Sequence, residues 1–317
     1  MATLVQRQSR VHLARQARIR LISGLSVALV LAVLVGVQPR FVTPDNLRQV
    51  ALSAAILVVV ATAEAVVVLT KQIDLSVGSM LGLVAYLAAD TLAKHPALPP
   101  VVVFGLALAL GAVVGAVNGV IILFGQVSAF IATIATLAVY RGVLFLVSNG
   151  GAITANQIPD SWLRLVSRKA LDVPIAVWIA AIVCIAGSLV FKYTRGGRAF
   201  YAIGSNLDAA KAAGVRTRLV TFAAFCLSGA LCGLAGAMWS SLYGAVDSTA
   251  GTGYEMLALA AVVIGGVSTT GGRGTLWGAG LGAVFLIAVT NILALFRVDS
   301  LWAQAFYGFV ILVAVSV

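Results

Sequence analysis

Three ionisable side chains fall inside long apolar runs of this 317-residue chain: Glu64, Arg141 and Glu255. Charge in hydrocarbon is costly, so such residues mark pathways, relays or interhelical bonds. Glu64 is the only carboxylate well inside a run. It reads as a pathway-lining group, as the acceptor that positions a break at Asp74, or as a plain interhelical bond. Arg141 and Glu255 lie nearer run ends, where snorkelling toward headgroups is the expectation. No nucleophile, base and orienting group converge in the sequence, which argues against a membrane-embedded enzyme. With His12 and His95 as the only histidines and Cys184, Cys226 and Cys232 scattered through apolar runs, no zinc-type ligand set is expected. The cysteines read as small packing residues. The lysines at 71, 94, 169, 192 and 211 never follow glycine, so no phosphate-binding Gly-Lys loop is present.

The elements that must position these groups are membrane spans. Hydrophobic residues make up 61% of the chain and charged residues 10%, where soluble domains carry about a quarter charged. Apolar runs of roughly 17 to 25 residues recur, each long enough to cross about 30 Å of hydrocarbon as a helix. A β-barrel is set aside because stretches such as 101–124 are apolar on every face. The expected fold is therefore an all-α membrane protein of about ten helices, near 21–37, 50–70, 75–90, 101–124, 127–147, 173–191, 219–243, 254–268, 275–295 and 301–317. The breaks at 71–74 and through Gly274 are so short or glycine-rich that broken or re-entrant helices are expected there.

The net charge of +11 is a matter of placement, not nucleic-acid binding. Residues 1–20 carry Arg7, Arg10, Arg15, Arg18 and Arg20, and the loop 192–218 carries Lys192, Arg195, Arg198, Lys211, Arg216 and Arg218. Both read as cytoplasmic, with an even number of spans between them, and both termini fall on that side. The basic start reads as a first span and not a cleaved leader, because the apolar run is long for a signal peptide. Residues 1–20 thus form a basic cytoplasmic tail and residues 21–317 one transmembrane domain. An internal echo at a constant offset of 196 relates 65–68 and 78–82 to 261–264 and 274–278.

The loop 192–218 is long for a mere connection. Asn206 or Ser205 can cap a short helix over 207–213, with Gly214 at its C-terminal end. Its small-residue face and flanking arginines suit docking into a groove with acidic residues on a partner, the plainer alternative being a loop kept basic for topology.

Four motifs in order give the chain its resemblance to a known family: Ile73-Asp74-Leu75-Ser76-Val77-Gly78-Ser79, Tyr140-Arg141-Gly142, Gly197-Arg198-Ala199-Phe200-Tyr201-Ala202-Ile203-Gly204, and Gly251-Thr252-Gly253-Tyr254-Glu255 running on to Gly265-Gly266 and Gly271-Gly272-Arg273-Gly274. It resembles, over nearly its whole length, the bacterial ABC-importer permeases for monosaccharides, which include ribose, xylose, rhamnose and autoinducer-2 systems. Asp208-Ala209-Ala210 with Gly214 looks like the Glu-Ala-Ala…Gly coupling motif of such permeases, with Asp in place of Glu. The departure from the family pattern is the missing polar tail after Val317.

That resemblance implies a transport subunit of the bacterial inner membrane with no cofactor of its own. ATP is then hydrolysed on two separate ATPase subunits. It also implies a second permease protomer, identical or not, and a periplasmic sugar-binding protein. The ATPase-coupling residues implied are Arg198, Gly204, Asp208, Ala209, Ala210 and Gly214. A sugar path needs hydroxyl and amide groups for exchangeable hydrogen bonds; Glu64, Asn118, Ser128, Thr133, Thr136 and Asn291 are the candidates, with Gln304 beside them, although the small ones serve helix packing equally well. Glycine sets such as Gly111 with Gly115 and Gly229 with Gly233 read as packing seams, and Trp239 and Tyr243 as an aromatic belt. An ion-coupled secondary transporter is the alternative, weakened by the lack of paired carboxylates near the midplane.

Overall fold

The computed structural model describes residues 36 and 38–298, with single positions at 302, 305, 308, 309 and 312. The basic tail 1–20, almost all of the expected spans 21–37 and 301–317, His12 and Gln304 lie outside the described residues. Within them the chain is helical: α1 (Pro44–Val68), α2 (Val77–Lys94), α3 (Pro100–Gly125), α4 (Ala129–Ser148), α5 (Ile175–Tyr193), α6 (Arg195–Ser205), α7 (Leu207–Ala212), α8 (Thr217–Tyr243), α9 (Tyr254–Ile264) and α10 (Leu276–Leu295). Among the described residues the strands are a two-residue antiparallel pair, β1 (Lys169–Ala170) with β2 (Val173–Pro174). Seven helices are long and apolar enough to cross a membrane: α1 to α5, α8 and α10.

The eight expected spans in this region each find a helix. The largest boundary shift is at the start of α1, six residues early by the polar stretch Asp45-Asn46-Leu47-Arg48. Pro44 opens that helix, where the missing N–H costs nothing, and Asp45 sits in its first turn, favoured by the helix dipole. Asn46 is not a break residue; it exchanges amide hydrogen bonds with Asn291 of α10 at 2.9 and 3.0 Å.

α1 is the core. From Ala54 to Val68 it is buried on all sides and apolar but for Thr62 and Glu64, packed by α8, α10, α5 and α9, as befits a helix segment with no polar stripe. α3, α4 and α5 instead present apolar side chains outward, Val101, Phe124 and Leu146 among them. An outer surface of this kind matches a lipid environment. The expected glycine seam is present and joins α3 to α8. A Cβ on Gly111 would overlap the Gly229 carbonyl, and one on Gly233 would overlap the carbonyl of Ala107. Only glycine lets these backbones meet.

The echo at offset 196 is structural as well. α1 leaves its helix with Leu69 N–H donating to the Ala65 carbonyl (2.9 Å) and Thr70 N–H to Val67 (2.9 Å). α9 leaves with Gly265 N–H donating to Ala261 (2.9 Å) and Gly266 N–H to Val263 (2.9 Å), the same bonds 196 residues on. α9 has 11 residues, about 16 Å of rise, which is about half a bilayer. It starts not at an edge but against α2, where a Cβ on Gly78 would overlap both Glu255 and the Gly251 carbonyl. The segment between α8 and α9 therefore dips back into the molecule, as a re-entrant piece does.

Candidate functional site

Two sites emerge, one at the end of the molecule that carries α6 and α7, and one buried above it. α6 begins with Thr194, whose Oγ1 accepts the Gly197 N–H at 2.9 Å. Its aromatic anchor is Phe200, stacked on Phe191 of α5 with ring centroids 4.7 Å apart. α7 follows the expected design: Asn206 Oδ1 accepts the N–H groups of Asp208 (3.0 Å) and Ala209 (2.9 Å). Gly214, at φ +79°, closes it. Gly214 N–H donates to Lys211 (2.9 Å) and Val215 N–H to Ala210 (3.0 Å), the paired bonds of a Schellman stop.

The candidate docking residues divide into two faces. Ala210 is buried, whereas Arg198, Asp208, Ala209 and Gly214 are exposed, Asp208 with 94% of its side chain open. The Asp208–Lys211 pair at 3.6 Å is a surface i,i+3 contact of small energy. Gly204 faces inward. A Cβ on it would overlap the Leu69 carbonyl at the end of α1 and the Gly272 N–H in the α9–α10 break, and these two groups bond to each other at 3.0 Å. The end of α6 thus rests on the exits of both repeated helices at one point.

Above this junction lies a polar chain in an apolar core. Between α1 and α2 the backbone turns at Lys71, in the left-handed region at φ +64°, and climbs back through Ile73 and Asp74. Glu64 Oε1 accepts the Asp74 N–H at 3.3 Å, the bond anticipated for a glutamate that positions the break. Asp74 Oδ1 accepts from the Ser76 N–H (3.0 Å) and hydroxyl (2.6 Å), and its Oδ2 from Ser228 of α8 (3.3 Å). Asn118 of α3 donates to Ser76 Oγ at 2.8 Å, and the Tyr140 hydroxyl of α4 lies 2.8 Å from Asn118 Oδ1. Thr133 reaches the Ile73 carbonyl at 3.3 Å, and Thr136 bonds back to the Thr133 carbonyl at 3.3 Å. Five helices and the break converge here, and Glu64 Oε2 has no hydrogen-bond partner among the described residues.

Of the six candidate path residues, Glu64, Asn118, Thr133 and Thr136 share this cluster. Ser128 does not: it is exposed and caps α4, its Oγ accepting the Ile131 N–H at 3.4 Å. Asn291 is paired with Asn46 instead. Tyr140 and Ser228 are members that composition did not single out. Arg141 does not snorkel. Its guanidinium donates to the carbonyls of Ser248 (3.2 Å) and Ala250 (2.6 Å), holding the re-entrant segment. Glu255 is turned toward Gly78, its Oε1 accepting the Gly253 N–H at 3.2 Å. Among the described residues no group of three His, Cys, Asp or Glu side chains can hold a metal.

The arrangement has no reactive set; what it has is a jointed helix pair with a polar joint, tied to an exposed capped helix. The sequence pattern of the family described as branched-chain amino acid transport system / permease component matches residues 46–315. The chain is 38% identical over 289 residues to the autoinducer 2 import system permease protein LsrC of Enterobacter sp. (strain 638), covering 91% of this chain and 83% of the relative. It is 36% identical over 299 residues to the ribose import permease protein RbsC of Escherichia coli (strain K12), covering 93% and 92%. No solved structure matches. A pattern match across most of the chain, two import permeases aligned nearly end to end, and the jointed helices just described lead to one conclusion: this chain belongs to that family of multi-pass transport permease components.

Proposed function

We propose that this chain is the membrane permease of an ATP-driven importer that brings a monosaccharide or related small polar solute into the cytoplasm. The observation that carries the reading is the contact of Gly204 with Leu69 and Gly272. A partner that moves α6 and α7 moves the exits of both repeated helices together, which is what a coupling loop must do. The relatives that are named as ribose and autoinducer 2 import permeases support the solute class.

In this reading ten spans cross the bacterial inner membrane with both termini cytoplasmic. The charges support that sidedness: Lys71, Arg273, Arg195, Arg198, Lys211 and Arg216 gather at the end that carries α6 and α7. Two ATPase subunits dock on the loop 192–218 through Arg198, Asp208, Ala209 and Gly214 and bind the ATP. A second permease protomer completes the pathway, and a periplasmic binding protein delivers the solute. Transport proceeds by alternating access, with Glu64, Asn118, Thr133 and Thr136 along the path beside the first break.

A second reading, ion-coupled secondary transport, draws on the Glu64–Asp74 pair, which supplies the two neighbouring carboxyl groups that the sequence seemed to lack. One experiment separates the two. The tagged chain is purified from its native membrane and its companions are identified by mass spectrometry, while sugar uptake is followed with a protonophore present. A stoichiometric ATPase and protonophore-resistant uptake support the importer; a solitary chain whose uptake collapses with the ion gradient overturns it.

A further inference from the structure

At the end opposite α6 and α7, a cavity of about 430 Å³ opens between the end of α8 and the re-entrant segment, lined by Trp239, Tyr243, Asp247, Thr249 and Thr252 with Ala152 across the mouth. Its wall is aromatic. Trp239 packs on Tyr243 with centroids 4.5 Å apart and meets Tyr254 edge-on at 5.3 Å. Trp239 and Tyr243 line the cavity, and Tyr254 backs Trp239. Its rim is polar: Thr249 donates its N–H (2.8 Å) and its hydroxyl (2.6 Å) to Asp247 Oδ1. Those two bonds hold the Asp247 carboxyl below the usual aspartate range, so at neutral pH it only accepts hydrogen bonds.

The walls are held rigidly. Val246 pairs with Ile153 through two backbone bonds at 2.9 and 3.0 Å, and Arg141 of α4 fastens the carbonyls of Ser248 and Ala250. Below Gly251, the same segment packs directly on Gly78 at the start of α2. The cavity is therefore in contact with the helix that follows the polar joint.

An aromatic face beside an acceptor carboxylate and two hydroxyls is the chemistry that recognises a sugar ring: the C–H face stacks on the indole and the ring hydroxyls bond to the rim. We propose that this cavity is the outward reception site of the permease, where a monosaccharide ring stacks on Trp239 and hydrogen-bonds to Asp247, Thr249 and Thr252 before it passes inward. The proposal rests on the import reading and narrows its substrate to a cyclic polyol.

The test uses the full chain in lipid nanodiscs with Ala152→Cys as a reporter, at an exposed lining position that makes none of the proposed bonds, labelled by a water-soluble maleimide in the presence of D-ribose, D-xylose, L-rhamnose or the open-chain polyol mannitol. A ring sugar at about three times its Kd leaves about a quarter of the sites free and slows labelling about fourfold; mannitol, which has no ring face to stack, protects less. Trp239→Leu in the reporter background weakens protection by up to about tenfold in concentration, while Trp239→Phe keeps most of it. Labelling that no ring sugar slows, or protection that survives Trp239→Leu, overturns the site. Uptake of the same sugars by cells carrying the complete unmodified system is measured in parallel. Uptake without protection removes the cavity and leaves the import reading; protection without any uptake removes the import reading and leaves a sugar site.

Discussion

The two helix breaks share a backbone design and differ in what fills it. In the first, α1 exits at Leu69 and Thr70, and the returning strand is fastened by Glu64, Asp74 and Ser76 to α3, α4 and α8. In the second, the positions 196 residues on are Ala260, Thr270 and Gly272. No carboxylate stands there, and Gly266, Gly271, Gly272 and Gly274 all take positive φ. One break is locked by side chains and the other is shaped by glycine. The same exit can thus be held by side chains or shaped by backbone alone, and on the import reading proposed above the first is the fixed post and the second the hinge, with α6 resting on both.

The strongest way to break that comparison is to give the second exit the first one's carboxylate. Ala260 is fully buried, so Ala260→Glu places an unpaired acid in an apolar core at a cost of about 3–5 kcal/mol. The expected result is a chain that no longer runs as a monodisperse peak in fluorescence-detected size exclusion. Next comes Gly204→Val, which drives a branched side chain into the Leu69 carbonyl and the Gly272 N–H. Overpacking against backbone costs about 3 kcal/mol, and both exits shift together. Uptake should be lost and the melting temperature in detergent should fall.

The lock itself is sharpened by a pair of variants. Glu64→Ala removes the acceptor of a buried backbone N–H and should cost about 2 kcal/mol. Glu64→Gln keeps an acceptor oxygen and should cost about half as much. A thermal-melt series in which the two variants fall equally would remove the Glu64–Asp74 bond from the account of the first break.

Much of this was readable from residues alone because it is local. Asn206 and Gly214 frame α7 through bonds spanning a few positions, and the glycines of the α3–α8 seam and of the second break are visible as composition. The spans themselves follow from hydrocarbon thickness. What stayed hidden depends on distance in the chain. Ser76 meets Asn118 and Asn118 meets Tyr140 only after three helices are packed, and Ser228 is one small hydroxyl in a seam of small residues, with no period to mark it. Arg141 near a span end looks like any headgroup anchor until the 244–253 segment folds back beneath it. Asn291 and Ser128 stand apart from the cluster for the same reason: a polar residue in an apolar run is satisfied by whatever the fold brings to it, here Asn46 and a helix cap.

The smallest effects test whether glycine shapes the hinge by backbone alone. Gly266 and Gly214 both have positive φ and open space where a Cβ would go, so alanine there meets strain but no clash, about 1 kcal/mol each. The stability loss should therefore be equal, and the functional loss should not. Gly266→Ala stiffens the second break, so it should slow transport and the ATP turnover that drives it together. Gly214→Ala loosens the stop of α7 on the exposed face, and a bulkier residue there, such as Leu, adds a side chain where a partner would sit. That series should raise the ATP hydrolysed per sugar moved while the permease stays inserted. If Gly214→Leu leaves sugar-dependent ATP turnover and uptake unchanged, the α7 surface is not where force enters, and the contact of Gly204 with the two exits is packing without coupling.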